Sequence, residues 1–128
     1  MAMKTLLSLC LAVLGLIHLL PLVGVLGPAR LQALYGVVVA QDADLSLLLR
    51  HRAVLFGLLG GALVVAVWHR PWQGPALVAA ALSVLSFVAL AGLGGSLNPA
   101  LTRVLWVDLA ACLPLALGAW AWWRQVQP

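Results

Sequence analysis

The chain has 128 residues, is 65% hydrophobic and only 8% charged, and carries a formal net charge of +4 with a mean hydropathy of +1.14. This excludes a soluble globular domain, in which about a quarter of residues are charged. The seven lysines and arginines are scattered along the chain, which excludes the dense basic face of a nucleic-acid-binding surface.

Long stretches carry no charge: 25 residues between Lys4 and Arg30, 17 between Arg52 and Arg70, and 32 between Arg70 and Arg103. A membrane helix takes about 20 apolar residues. The chain therefore predicts an all-α, polytopic membrane protein, with residues 1–128 forming one membrane domain. Its architecture is a four-transmembrane-helix bundle with one long first loop.

The first helix is predicted over residues 4–26. Lys4 and the apolar run after it imitate a secretory signal. However, the run exceeds an h-region of about 7–15 residues and no small-residue cleavage site follows, so it reads as the first span. Gly27-Pro28 ends it, and a loop over residues 27–46 follows. Within that loop, residues 28–35 read as a short helix closed by Gly36, residues 37–40 are apolar, and residues 41–44 are wet. A loop this apolar is expected in the interface or over the bundle mouth, with Asp44 as N-cap of the next helix. The second helix is predicted over 47–68. The third is predicted over 75–93, after a proline-bounded break at 71–75. The fourth is predicted over 99–123, after Gly94-Gly95-Ser96 and Asn98-Pro99.

Four spans put both termini on one side, with the second loop. That terminal side carries Lys4, Arg70 and Arg124, and also Trp68, Trp72, Trp120, Trp122 and Trp123, five of the six tryptophans. Tryptophan concentrates where its ring is half wet, at the bilayer boundary. The opposite, loop side carries Arg30, Arg50, Arg52 and Arg103 with Asp42 and Asp44. Raw counting of Lys and Arg is nearly balanced and slightly favours the loop side as cytoplasmic. With the helix-end arginines discounted as structural, Lys4 favours cytoplasmic termini.

The most informative residue is Asp108. Residues 101–123 are apolar apart from Thr102, Arg103 and Asp108, and a carboxylate in such a run faces a bundle interior and seeks a partner. At 1.5 Å per residue, Asp108 and His18 both lie roughly 12 Å in from the loop side. Arg50, His51 and Arg52 open the second helix there, and Arg103 opens the fourth. Arg52 is the expected partner of Asp108, with His18 the other candidate. Arg103 is disfavoured because positions five apart do not share a helix face. Two readings stay open: a structural pair that fixes helix register, or a polar pocket open to the loop side for a small ligand or quinone head group.

No metal-ligand spacing occurs, and no two histidines match in depth for a bis-histidine haem. Cys10 and Cys112 form no framework and read as small buried hydrophobes. No catalytic pattern is present, so no enzyme activity and no cofactor is predicted, with quinone the ligand class of the pocket reading. Gly57 and Gly61 form a GxxxG step for close helix approach, read as packing within the bundle ahead of dimerisation. On the fourth helix, Asp108, Ala111, Cys112, Leu115, Gly118 and Ala119 share a face expected to point inward.

Leu34-Tyr35-Gly36, then Asp44 and the run Leu49-Arg50-His51-Arg52-Ala53-Val54-Leu55-Phe56-Gly57, resembles a group of small bacterial inner-membrane proteins, broadly DoxX-like. The resemblance covers most of the chain through short motifs. It implies a four-helix bundle in the bacterial inner (cytoplasmic) membrane, and some DoxX-like proteins are linked to quinone-coupled sulfur oxidation or redox complexes. No catalytic residue set transfers; the resemblance singles out Arg50, His51 and Arg52.

The first expectation for function is a small accessory or scaffold subunit, set in the lipid bilayer and packing against other membrane proteins or itself. The alternative is a membrane redox or quinone-like small-molecule binding protein, with its pocket toward the first loop. A transporter comes third, because four short helices would transport only as an oligomer.

Overall fold

The computed structural model describes residues 2–127, and among these no strand occurs. The helices are α1 (Ala2–Leu19), continued by a 3₁₀ stretch over Leu20–Leu26, then α2 (Pro28–Tyr35), α3 (Ala43–Ala66), α4 (Arg70–Leu93) and α5 (Pro99–Val126). Four segments are long and apolar enough to cross a membrane: Ala2–Leu26, Ala43–Ala66, Arg70–Leu93 and Pro99–Val126. The protein is an all-α, multi-pass four-helix bundle.

Helix ends move where capping chemistry decides them. The second span starts at Ala43, earlier than expected, because Asp42 and not Asp44 is the cap. The Asp42 carboxylate accepts from the Leu45 amide at 2.9 Å, and Asp44 sits in the first turn, where a negative charge suits the helix dipole. The third span starts at Arg70. Residues 71–75 are its first turns and not a break: Pro71 sits in the opening turn, where an amide hydrogen has no intrahelical acceptor, while Pro75 lies inside the helix and gives up one bond, to the Pro71 carbonyl. Gln73 locks that corner by donating through Nε2 to the Ala66 carbonyl at 3.2 Å. Conversely, the first α-helix stops at Leu19 and tightens to 3₁₀ geometry, with Pro21 in its opening turn.

Around the bundle, α1 packs between α3 and α5, and α4 closes the ring against the same two helices. Leu7, Leu11 and Leu14 of α1 meet Leu63 of α3, Leu77 and Val84 of α4, and Ala111 and Leu115 of α5 in the main core. Leu9, Leu16, Leu58, Leu82 and Leu113 face outward, as an apolar solvent allows. Lipid supplies no hydrophobic drive between helices, so small residues set how closely they approach.

Glycines bring α1 and α3 close together. A Cβ at Gly60 would lie 2.9 Å from the Gly15 carbonyl oxygen and 2.8 Å from Leu19 Cγ; one at Gly57 would lie 2.6 Å from Leu22 Cδ1; one at Gly61 would meet open space. The packing pair on α3 is therefore Gly57 and Gly60, correcting the Gly57–Gly61 step. On α5, Ala111, Leu115 and Gly118 are buried and Cys112 is half-buried, but Ala119 is exposed.

At one end, Gln125 Nε2 donates to the Met3 carbonyl at 3.3 Å and holds the ends of α1 and α5 together. Trp68, Trp72, Trp120 and Trp123 are exposed at this end, while Trp122 is half-buried against Gly74. At the other end the first loop folds over the bundle mouth. Leu31, Tyr35 and Val39 are buried there against Leu45 and Leu49 of α3 and Leu101 and Val104 of α5. Gly36 ends α2 with φ +66°, a left-handed turn that suits glycine. A Cβ on it would also come within 3.1 Å of the Asn98 side chain.

Candidate functional site

Beneath this lid lies a cavity of about 270 Å³. The end of α1 supplies His18, and the 3₁₀ stretch after it supplies Leu20 and Pro21. The lid supplies Leu34 and Tyr35, α3 supplies Arg52 and Phe56, and α5 supplies Arg103, Val107 and Asp108. Four of the six polar residues expected in the site thus line one chamber: His18, Arg52, Arg103 and Asp108. Arg50 and His51 do not. Successive helix residues point about 100° apart, so a run of three sends only one side chain into a narrow space. Arg50 Nε donates to the Val25 carbonyl at 3.1 Å, clamping the 3₁₀ stretch to α3, and His51 is exposed.

His18 is only 2% exposed. Its Nδ1 lies 2.8 Å from the Leu14 carbonyl oxygen. A carbonyl can only accept, so Nδ1 carries the hydrogen and Nε2 of the neutral ring carries a lone pair. The ring stacks on Phe56, with centroids 5.8 Å apart, which fixes its plane.

Arg52 is held by rings. Its guanidinium carbon lies 5.0 Å from the Phe56 centroid, 5.2 Å from Tyr35 and 5.7 Å from Phe87. Cation–π attraction of this kind stabilises a desolvated guanidinium. Among the described residues, no carboxylate closes on Arg52 within the 4 Å of an ion pair. Asp108 and Arg52 line the same chamber and act on each other electrostatically across it. The direct Asp108–Arg52 bridge expected from the sequence is replaced by this aromatic cradle, and Asp108 is one of the residues lining the chamber. Its backbone carbonyl accepts from Cys112 Sγ at 3.4 Å.

Tyr35 was not among the expected site residues. It is 3% exposed, and its buried hydroxyl has no hydrogen-bond partner. An unsatisfied buried hydroxyl costs about 1–3 kcal/mol. Burial pushes the phenol up from its usual range, with Arg52 pulling it down and Asp108 pushing it up again. At neutral pH the hydroxyl therefore keeps its hydrogen and is a donor. The available signal was a lone tyrosine, the only one in the chain, within an otherwise apolar lid.

Residues able to donate (Tyr35, Arg52, Arg103) and to accept (His18, Asp108) line the chamber among apolar walls, with the Tyr35 hydroxyl itself buried behind the surface. Among the described residues, no three His, Cys or Asp side chains gather to hold a metal. The arrangement suits hydrogen bonding to a compact head group that both accepts and donates. The chain matches no family model, no curated protein and no solved structure, so the chemistry of the chamber carries the functional argument.

Proposed function

We propose that this protein binds, beneath its first loop, the polar head of a small bilayer-resident amphiphile of the quinone type. In this reading it is a broadly DoxX-like protein of the bacterial inner membrane with cytoplasmic termini. The observation that carries the proposal is Tyr35: its hydroxyl is buried and unpartnered, its ring lies under the Arg52 guanidinium, and both residues line a chamber of about 270 Å³. A quinone carbonyl oxygen accepts from Tyr35 and Arg52, and the hydroxyl of the corresponding quinol donates to His18 Nε2 or Asp108. One small chamber thus offers partners to both forms of the head.

The test is calorimetric titration of the protein in lipid nanodiscs with a soluble quinone. Tyr35→Phe is expected to weaken binding about tenfold, the worth of one well-placed hydrogen bond, without lowering the melting temperature. Asp108→Asn is expected to weaken quinol binding more than quinone binding. A wild-type protein that binds neither form sinks the proposal.

A second reading, the accessory subunit that packs against another membrane protein or a second copy, draws on a different feature. Between α4 and α5 lies an apolar groove of about 470 Å³, lined by Gly74, Leu77, Ala81, Cys112, Ala116 and Trp122 among others. Small residues along such a groove admit a further helix. Native mass spectrometry from mild detergent tests it. A defined oligomer or hetero-complex broken by Ala116→Leu supports this reading, and a monomer overturns it.

A further inference from the structure

We propose that the crevice between α3 and α4, on the far side of Arg52 from the chamber, is the subsite for the apolar tail of the bound amphiphile, with Arg52 and Phe56 as the movable partition between the two spaces. This rests on the reading of the chamber as a head-group site.

The crevice measures about 490 Å³, larger than the chamber, and the two cavities share Arg52 and Phe56. Arg52 is cradled by one ring from each side: Tyr35 belongs to the chamber wall, Phe87 to the crevice wall, and Phe56 to both. A guanidinium held by ring faces swings without breaking an ion pair, because among the described residues no carboxylate clasps it. Beyond the partition the crevice turns apolar along Leu90, Ala91, Leu97 and Leu101. Leu90 is 68% exposed, so that wall opens sideways onto the bilayer. An amphiphile already dissolved in lipid enters there without crossing water, and its head reaches the polar chamber while its tail stays among alkyl groups.

The competing exit is the seam between α1 and α5, where Leu20 and Val107 border the chamber and are exposed.

The test pairs two quinones with the same head, one bearing a decyl tail and one bearing none, against wild-type protein and crevice-filling variants in nanodiscs. Ala91→Trp is expected to weaken the tailed quinone at least tenfold and leave the tailless one unchanged. Leu97→Trp, in the loop between α4 and α5, serves if Ala91→Trp fails to fold, and the same split is expected. If both quinones bind the variants as they bind wild type, or both fall together, the tail subsite is overturned while the head-group reading stands. A selective loss of the tailed quinone in Val107→Trp places the tail in the α1–α5 seam and also overturns it. A wild-type protein that binds neither quinone removes the head-group reading itself and this inference with it.

Discussion

Asn98 reaches across the bundle mouth to Tyr35: its Nδ2 donates to the Tyr35 carbonyl at 2.9 Å. Its Oδ1 accepts from the Leu101 amide at 2.8 Å and so caps α5. One side chain thus ends the lid helix and begins the last span, and Tyr35, at the lid end of that linkage, lines the chamber. The Thr102 hydroxyl reinforces it by donating to the Asn98 carbonyl at 2.9 Å.

Asn98→Ala removes the cap and the lid tie together. Loss of an N-cap alone costs about 1 kcal/mol, and the orphaned Tyr35 carbonyl adds a cost of similar size. A total loss of about 2 kcal/mol is expected in reversible unfolding. Asn98→Asp keeps the cap acceptor but turns an acceptor toward the carbonyl, so it is expected to recover the cap and leave the lid loose. Hydrogen exchange over residues 28–40 is the readout. Unchanged protection in Asn98→Ala would show that apolar contacts alone hold the lid.

The second prediction separates two adjacent glycines. Gly60→Ala drives a methyl group into the Gly15 carbonyl and Leu19, and overpacking of this kind costs about 1–3 kcal/mol. Gly61→Ala meets nothing and gains up to about 1 kcal/mol of helix propensity. Melting temperatures of the two variants should therefore move in opposite directions. A loss in Gly61→Ala with none in Gly60→Ala would restore the GxxxG spacing as the packing motif.

This contrast marks where sequence reading stops. Uncharged stretches between Lys4, Arg30, Arg52, Arg70 and Arg103 are long enough to define four spans, because the bilayer imposes a length. Depth along a helix follows from a rise of 1.5 Å per residue, so His18, Arg52, Arg103 and Asp108 were legible as one polar layer. Rotation about the helix axis was not. Nothing local distinguishes Gly60 from Gly61, or Arg52 from Arg50 and His51, until the neighbouring helix is in place. The aromatic cradle of Arg52 joins Tyr35, Phe56 and Phe87 from three separate elements. Their spacing in the chain carries no pattern to announce it.

Arg52→Lys tests the cradle. A guanidinium is planar and lies flat against rings, whereas an ammonium is compact and strongly hydrated. The substitution keeps the charge and is expected to cost about 1 kcal/mol of stability, from weaker ring contact and harder desolvation. Arg52→Met keeps most of the apolar stem without the charge and is expected to be no worse than Arg52→Lys. If Arg52→Lys matches wild type in melting temperature, charge and not ring packing holds the side chain.

The last prediction uses the single tyrosine of the chain as its own reporter. Burial raises the Tyr35 phenol above its ordinary value near 10. The folded state therefore holds the phenolic proton to higher pH than the unfolded state does. By linkage, the folded protein binds more protons than the unfolded chain once pH passes about 10, so stability falls with further rise in pH. Below about 10 both states hold the proton and Tyr35 adds no pH dependence. Phenolate absorbance in the folded protein should thus appear later than in the denatured chain, and it reports Tyr35 alone. Above pH 10 the melting temperature of wild type should drop more steeply than that of Tyr35→Phe, while near pH 7 Tyr35→Phe should melt at or above wild type because it removes an unpaired hydroxyl. Phenolate forming at the same pH in the folded and denatured protein would mean that water reaches the hydroxyl. A quinone that fills the chamber should delay ionisation further, since the carbonyl oxygen it offers binds the protonated phenol and not the phenolate.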